Sequence, residues 1–478
     1  MCLNGKGKQF CLALIISSAM ISCGGVIGWS VQTTRLSSDP TGKLKLSLQD
    51  EDWLVGYAGI GGLISTILTV GLIDMFGPCR LLHFFLLPSA ITWILMATLE
   101  SEGELIAGRI FSGFFLQLST IIIYPLLSEM SEKNVRGSFL CLPDILFSCG
   151  HLLMNIFARF LTWQNGTLIT GILMFPVIGL YFYVPESPYW YIRKGKYKDA
   201  VRSLKRIRSA GHDCETEMKS LKEVLVDNCD KPGKVMDQIS NLKYPENYRP
   251  TLLLCLLIIL REFGGSLALF LYAPFFFKSA GIKLSVFMII VLIGFTKILF
   301  SFVASAIIDV IGRRNLFLSS SITCCFTMFI IGYIVQYPSS FLSWVPLISL
   351  IIFVASFGLG IGPMPWILIG EILPTPVRFV SSSIACALFT LLFYLECYFL
   401  PTLVQNMSLG RMAIAFAFFN LILNIVIWMF LPETRNRSLE ELQTAFVGAA
   451  LRPFKNQRQG YIQPYGSTFP ARTKIISE

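Results

Sequence analysis

Residues 309–314 read Asp-Val-Ile-Gly-Arg-Arg, and 235 positions earlier residues 74–77 read Asp-Met-Phe-Gly. Two further echoes accompany this one. Glu129 lies seven residues before Arg136 and Glu371 lies seven before Arg378, an offset of 242. Pro185-Glu186-Ser187-Pro188 returns as Pro432-Glu433-Thr434-Arg435, an offset of 247. Three pairs in one order with slowly growing offsets mark the chain as two copies of one unit. What lies between the echoes decides what that unit is.

The intervals are apolar. A helix needs about 20 apolar residues to cross ~30 Å of hydrocarbon, and such runs occur near 9–31, 53–74, 80–99, 104–128, 138–161 and 165–184. They resume near 250–277, 284–308, 316–336, 342–369, 378–401 and 409–431. The first run follows Lys6 and Lys8 as a signal peptide would, but with eleven more spans behind it, it is expected to stay in place. Of the 478 residues, 54% are apolar and 14% charged, against about 25% charged in soluble domains. Mean hydropathy is +0.65. An ordinary cytosolic enzyme is excluded, and with 39 Phe and 8 Trp so is a disordered chain. The predicted fold is therefore all-α and membrane-embedded, with twelve transmembrane helices in two six-helix bundles. The expected division is bundle 1–184, a cytoplasmic helical linker 185–249, bundle 250–433 and a cytoplasmic tail 434–478.

Lysine and arginine orient it. With both termini cytoplasmic, 29 of the 39 basic residues fall inside and 7 outside; leaving out the long linker, the inside still leads 15 to 7. The net charge of +10 thus reads as topology, and no basic soluble module points to nucleic acid. The linker mixes 14 basic with 10 acidic residues, and its apolar rhythm through Ala200, Leu204, Ile207, Met218, Leu221 and Val224 predicts short amphipathic helices. Weak glycosylation sequons stand at Asn165 and Asn406. The 13 Cys show no CxxC spacing, and the three His lie apart, so no catalytic constellation, metal site or cofactor is expected. Expected partners are the lipid bilayer and a small-molecule solute, with a monomer as the default state and the plasma membrane as location.

Acids and arginines at helix ends on one face can pair across two bundles, holding one side shut and breaking when it opens. With that pattern in place, the chain resembles the sugar porters of the major facilitator superfamily and, within them, the insect facilitated trehalose transporter group. The resemblance runs from about residue 10 to 445. It is carried by Gly108-Arg109, Glu129 to Arg136-Gly137, Pro185-Glu-Ser-Pro, Asp309-Val-Ile-Gly-Arg-Arg314, Gly362-Pro-Met-Pro-Trp366, and Pro432-Glu-Thr-Arg with Ser438-Leu-Glu-Glu. Leu46-Ser-Leu-Gln-Asp-Glu-Asp-Trp53 and Leu72-Ile-Asp-Met-Phe-Gly77 tilt it toward the insect group. It implies a cytoplasmic gate of Asp74, Arg80, Arg109, Glu129, Arg136, Glu186, Asp309, Arg313, Arg314, Glu371, Arg378 and Glu433. In the first-half loop Pro78 and Cys79 replace two basic residues, with Arg80 one place late, which predicts a weaker or differently paired lock there.

Sugar porters hold hydroxyls with amides and indoles, and Trp366 fits that role. Prolines 363 and 365 are expected to break span ten into a cavity-lining segment. Span seven departs from the family's Gln-Gln-Leu-Ser-Gly-Ile-Asn, reading Arg261-Glu262-Phe263-Gly264-Gly265-Ser266-Leu267. Tyr272 is kept, and Arg261, Gly265, Ala268 and Tyr272 fall on one helical stripe. Lys297 stands where an Asn is usual and Asp144 where a Gln is usual. The expected substrate cavity thus holds Asp144, Arg261, Glu262, Tyr272, Lys297 and Trp366. Its four charges sum to zero, and each costs on the order of 2.5–3.5 kcal/mol in the membrane unless it is paired or faces a cavity. Gly61-Gly62 and Gly264-Gly265 read as close helix packing. The function expected is facilitative transport of a sugar, trehalose or glucose first, by alternating access. The alternatives are a charged or zwitterionic solute, possibly proton-coupled, and a non-translocating sugar sensor.

Overall fold

The computed structural model describes residues 5–30, 48–98, 101–208, 213–218, 235–266, 285–337, 344–437, 439–444 and 446. The first bundle comprises α1 (Gly5–Gly28), α2 (Leu48–Phe76), α3 (Pro78–Thr98), α4 (Glu102–Met130), α5 (Arg136–Phe160) and a sixth span in two pieces, α6 (Trp163–Ile172) and α7 (Met174–Tyr181). Pro176 explains that break, because it has no N–H for the Ile172 carbonyl one turn back. The linker holds α8 (Pro188–Arg193), α9 (Tyr197–Ile207) and α10 (Val235–Asn241). The second bundle comprises α11 (Pro245–Glu262), α12 (Val286–Ile311), α13 (Arg313–Gln336), α14 (Val345–Ser356), α15 (Met364–Glu371), α16 (Arg378–Asn406) and α17 (Leu409–Phe430), followed by α18 (Leu439–Thr444).

Among the described residues there is no strand, and eleven helical segments are long and apolar enough to cross a membrane. The seventh span is represented by α11, with its expected continuation, Ala268 and Tyr272 included, outside the described residues. Helices run past the apolar stretches by up to a turn or more, because polar residues such as Ser101, Thr162, Ser285 and Ser408 cap their first turns. The expected linker helices are present. Tyr189, Ile192, Ala200, Leu204, Cys214 and Met218 form a satellite core that also takes in Leu439 from beyond the last span. Leu221 and Val224 lie outside the described residues.

Within the first bundle α1 packs on α5 and α2 on α4; within the second, α13 packs on α17. Backbones approach so closely that a side chain at Gly61 would place its Cβ 1.8 Å from the Ile110 carbonyl, as the packing reading of that glycine requires. The bundles meet along two seams, α5 with α12 and α2 with α16, which the duplication exchanges. One end of the molecule gathers the linker, the C-termini of α2, α4 and α12, and the N-termini of α3, α5, α13 and α16. We call it the linker end.

The duplicated motifs make the same local structure twice at that end. Glu186 accepts hydrogen bonds from the N–H groups of Cys79 (2.9 Å), Arg80 (3.0 Å) and Ser187 (2.9 Å). Glu433 accepts them from Arg313 (2.9 Å), Arg314 (3.2 Å), Thr434 (2.9 Å) and Arg435 (3.0 Å). Each carboxylate thereby satisfies the open N–H groups at the start of α3 or α13 and faces the positive end of that helix. Burial pushes the Glu186 carboxyl above its ordinary pKa, although its three backbone donors pull the other way. The chain turns into these helices through Gly77 (φ 92°) and Gly312 (φ 96°), where a Cβ would lie 2.6 and 2.5 Å from the capping carboxylate. Gly312→Ala is therefore expected to cost at least ~1–2 kcal/mol from the left-handed backbone alone, and more from the displaced cap. Thermal unfolding of the purified protein should fall for Gly312→Ala and stay unchanged for Gly71→Ala, which has open space around it.

Candidate functional site

The seal at the linker end grows from these caps. The residue after each capping glutamate carries a hydroxyl: Ser187 Oγ donates to Glu129 at 2.5 Å and Thr434 Oγ1 to Glu371 at 2.6 Å. Here the symmetry stops. Glu371 is gripped by Arg313 of its own bundle through Nε and Nη2, at 2.8–3.2 Å. The position equivalent to Arg313 in the first half is Pro78, so Glu129 takes its guanidinium from the other bundle, Arg378 Nη1 at 3.1 Å. Both side chains are 1% exposed. Arg313 also pairs with Asp309 at 2.8 Å. Asp309 reaches across to the start of α5, accepting from Gly137 N (3.2 Å), Ser138 N (2.9 Å) and Ser138 Oγ (2.6 Å).

The remaining gate residues are less alike. Asp74, the counterpart of Asp309, pairs with Lys194 of the linker at 2.6 Å. Arg80 is exposed, donates to Tyr191 Oη at 2.8 Å and lies over the Trp190 and Tyr191 rings. Arg314 bonds the Trp428 carbonyl of its own bundle. Buried Arg136 donates to the Arg437 carbonyl at 3.4 Å. Arg109 departs from expectation altogether. It lies twenty residues before Glu129 on α4, about 30 Å away along the axis, at the end opposite the linker. There it donates to the carbonyls of Leu54 (3.1 Å) and Val26 (2.9 Å) and lies 4.9 Å from the Trp29 ring.

The four charges of the expected cavity do come together, as two pairs. Arg261 bonds Glu262, and Lys297 lies 3.5 Å from Asp144 across the α5–α12 seam, where Asp144 also accepts from Ser301 at 3.2 Å. Neighbouring residues in a regular helix do not face each other. Arg261 and Glu262 do because α11 ends at Glu262 and the chain turns through residues 263–265, with Gly265 at φ 82°. The continuous stripe through Gly265 is thus replaced by a turn, and Gly264-Gly265 serves that turn, its Gly264 carbonyl accepting from Asn420 at 2.9 Å.

Aromatic rings enclose the cations. Arg261 sits 5.4 Å from Phe357, 5.9 Å from Trp366 and 5.8 Å from Phe389. Lys297 sits 5.7 Å from Phe147 and 5.8 Å from Phe357. Span ten brings Phe357 there through a wide turn over Phe357–Ile361, closed by Gly362 N to Phe357 O at 2.8 Å, before α15 restarts beyond Pro363. This is the break the prolines predict, as a helical bulge rather than an unwound segment. Trp366 is 9% exposed, stacked on Tyr124 of the first bundle and edge-on to Phe389.

A cavity of about 60 Å³ lies on the far side of Phe389, lined among others by Ser30, Arg109, Gln117, Thr390 and Tyr394. None of the five described residues expected in the substrate cavity lines it. Their exposure and spacing gave no sign of this wall; the signal available was Gln117, a lone amide in an apolar span. Asn165 and Asn406 are exposed, both at the end opposite the linker.

The sequence pattern of the sugar (and other) transporter family matches residues 12–446. The chain belongs to this family. Among its sugar-transporter relatives, the facilitated trehalose transporter Tret1 of Apis mellifera ligustica is 28% identical over 93% of this chain and 89% of its own length. Tret1 of Polypedilum vanderplanki is 27% identical over 88% and 84%. The fold matches the proton:xylose symporter XylE bound to 6-bromo-6-deoxy-D-glucose with TM-score 0.81 at 21% identity, covering 92% of this chain and all of that one. The partially occluded inward-open form of XylE from E. coli gives 0.67 at 20% identity, over 89% and 98%. The chain is thus an integral multi-pass membrane protein of a transporter family, and not an enzyme.

Removing one member of a buried ion pair leaves an uncompensated charge, at a cost of roughly 3–5 kcal/mol. Asp144→Asn and Lys297→Met are each expected to lower the thermal stability of the purified protein, and the double variant to lower it less than either single one. Simple additivity would show that the two do not interact.

Proposed function

We propose that this protein moves a sugar of the trehalose or glucose class down its gradient by alternating access, in the plasma membrane, with the linker end facing the cytoplasm. The bundles are residues 1–184 and 250–433. The observation that carries this reading is the nature of the contacts between bundles at the linker end. Beside close packing of span ten on α4, they include polar interactions that cross the interface, chiefly Glu129 with Arg378 and Asp309 with the start of α5. Such contacts can break together and re-form, as a rocking motion requires. The names of the similar trehalose transporters support the substrate class. So does the charge arrangement: Asp144, Lys297, Arg261 and Glu262 neutralise one another, so a neutral solute leaves no charge of theirs unmet.

Saturable uptake of labelled trehalose or glucose into proteoliposomes or oocytes, accelerated by unlabelled sugar on the far side, is the expected result. Flux of a charged or zwitterionic solute in place of sugar would overturn the substrate class, and binding without flux would overturn transport.

The gate has its own test, because the two arginine–glutamate contacts differ in kind. Glu129→Gln and Arg378→Ala remove a contact between bundles, whereas Glu371→Gln removes one within a bundle. Reaction of buried Cys141 with a maleimide applied from the linker side, read by peptide mass spectrometry, is expected to rise several-fold in the first two variants and less in the third. Unchanged labelling in both would count against the gate.

A further inference from the structure

Exposed positive charge gathers at one corner of the linker end, where α3 begins and α7 ends. Arg80 is exposed in the first turn of α3. On α9 the residues Ala200, Leu204 and Ile207 form a buried stripe, and Lys198, Arg202, Lys205 and Arg206 are exposed on the opposite face. The acids of this corner are engaged. Glu186 caps α3, Asp74 pairs with Lys194, and Asp199 pairs with Arg202 at 3.3 Å. Among the described residues no ion pair engages Arg80, Lys198, Lys205 or Arg206.

Glu186 draws the two groups of cations together. Its carboxylate accepts from the Arg80 N–H, and its backbone carbonyl accepts from Ser203 Oγ, about one turn before Arg206. Arg206 in turn reaches the carbonyl of Tyr183, 3.4 Å away, at the end of the sixth span. Arg80 donates to Tyr191 Oη, a hydroxyl that keeps its own proton to give. Apolar surface begins directly beside these groups. Phe84 lies one turn along α3 from Arg80, on the same face, and is 70% exposed. Phe182, just past α7, is 73% exposed and meets the His83 ring edge-on at 4.4 Å. Exposed rings at the ends of spans belong at the boundary between hydrocarbon and headgroups. The two arginines therefore stand at headgroup level, over a patch that acyl chains cover. A soluble anion would meet the cations and leave the rings unused.

We propose that this corner binds an anionic phospholipid of the leaflet at the linker end, with Arg80 and Arg206 on its phosphate and Phe84 and Phe182 against its acyl chains. Lys198, Arg202 and Lys205 add the field that favours a net negative headgroup over a zwitterionic one. A lipid held there bridges the start of α3 to α9 and so fastens the linker to the first bundle. The site stands on these residues alone, whatever solute the protein carries.

Native mass spectrometry of the purified full-length protein, titrated in micelles with phosphatidylglycerol or phosphatidylcholine, measures the binding. Phosphatidylglycerol is expected to bind more tightly, and that preference to shrink by roughly tenfold or more in the double variant Arg80→Gln/Arg206→Gln. The double variant Lys133→Gln/Arg435→Gln removes the same charge from exposed positions elsewhere at the linker end. It should change the preference by less than about twofold, because exposed charges at a distance are screened. Arg80→Lys/Arg206→Lys keeps the charge and should keep the preference, which separates loss of the site from misfolding. No preference in the wild type overturns the proposal. An equal loss in both glutamine pairs also overturns it, because the attraction is then diffuse over the whole end. A loss in the lysine pair as large as in Arg80→Gln/Arg206→Gln does the same. Inorganic phosphate that displaces phosphatidylglycerol at equal concentration would make the occupant a soluble anion and overturn the lipid.

Discussion

A carboxylate withdrawn from water needs fixed dipoles or a fixed cation beside it, and the linker end is organised around meeting that need. Glu186 and Glu433 are each placed on the first N–H groups of a helix of their own bundle. Asp309 is placed on those of a helix from the other. The same arrangement dictates the glycines, since a side chain at position 77 or 312 would occupy the space of the capping carboxylate. It dictates the hydroxyls too, because Ser187 and Thr434 follow the caps and reach the glutamates that end α4 and span ten. Most of what the sequence repeats is therefore architecture inside each bundle, and the contacts that join the bundles are a small remainder.

That remainder is asymmetric, and one residue accounts for it. Arginine at 313 lets the second bundle neutralise Glu371 internally. Proline at 78 gives the first bundle no such cation, so the equivalent burden for Glu129 falls on Arg378 across the interface. Asp309, freed from neutralising Arg313 alone by the presence of Glu371, can extend to the start of α5. Asp74 has no buried arginine to hold it in place and turns outward to Lys194. The first-half departure thus redirects the lock: it trades an internal pair for one that has to break when the bundles separate.

Reading the sequence alone carried the all-α membrane fold, because apolar length is a local signal, and the structure places most of the repeated charges it singled out together at the linker end. It failed where the answer depended on depth or on a backbone departure. Arg109 shares a helix with Glu129, and its motif suggested the gate, but the rise per residue puts it at the other end. The stripe through Arg261 and Gly265 assumed a helix that the positive φ of Gly265 ends.

Among the described residues two ion pairs cross between the bundles at different depths, and their positions suggest different duties. Glu129 with Arg378 lies at the linker end, where a small rotation of one bundle against the other produces the largest separation. Asp144 with Lys297 lies near the middle of the α5–α12 seam, where the same rotation moves the partners least. Lys297 also has rings of both bundles beside it, Phe147 and Phe357, so its surroundings change little if the pair slides by a fraction of an ångström. A pair at the fulcrum can persist through the cycle without paying the cost of an isolated charge at each turn, whereas a pair at the rim has to be remade. Charges in the centre of a sugar porter are then compatible with moving an uncharged solute: they hold the two halves in register while the rim contacts open and close.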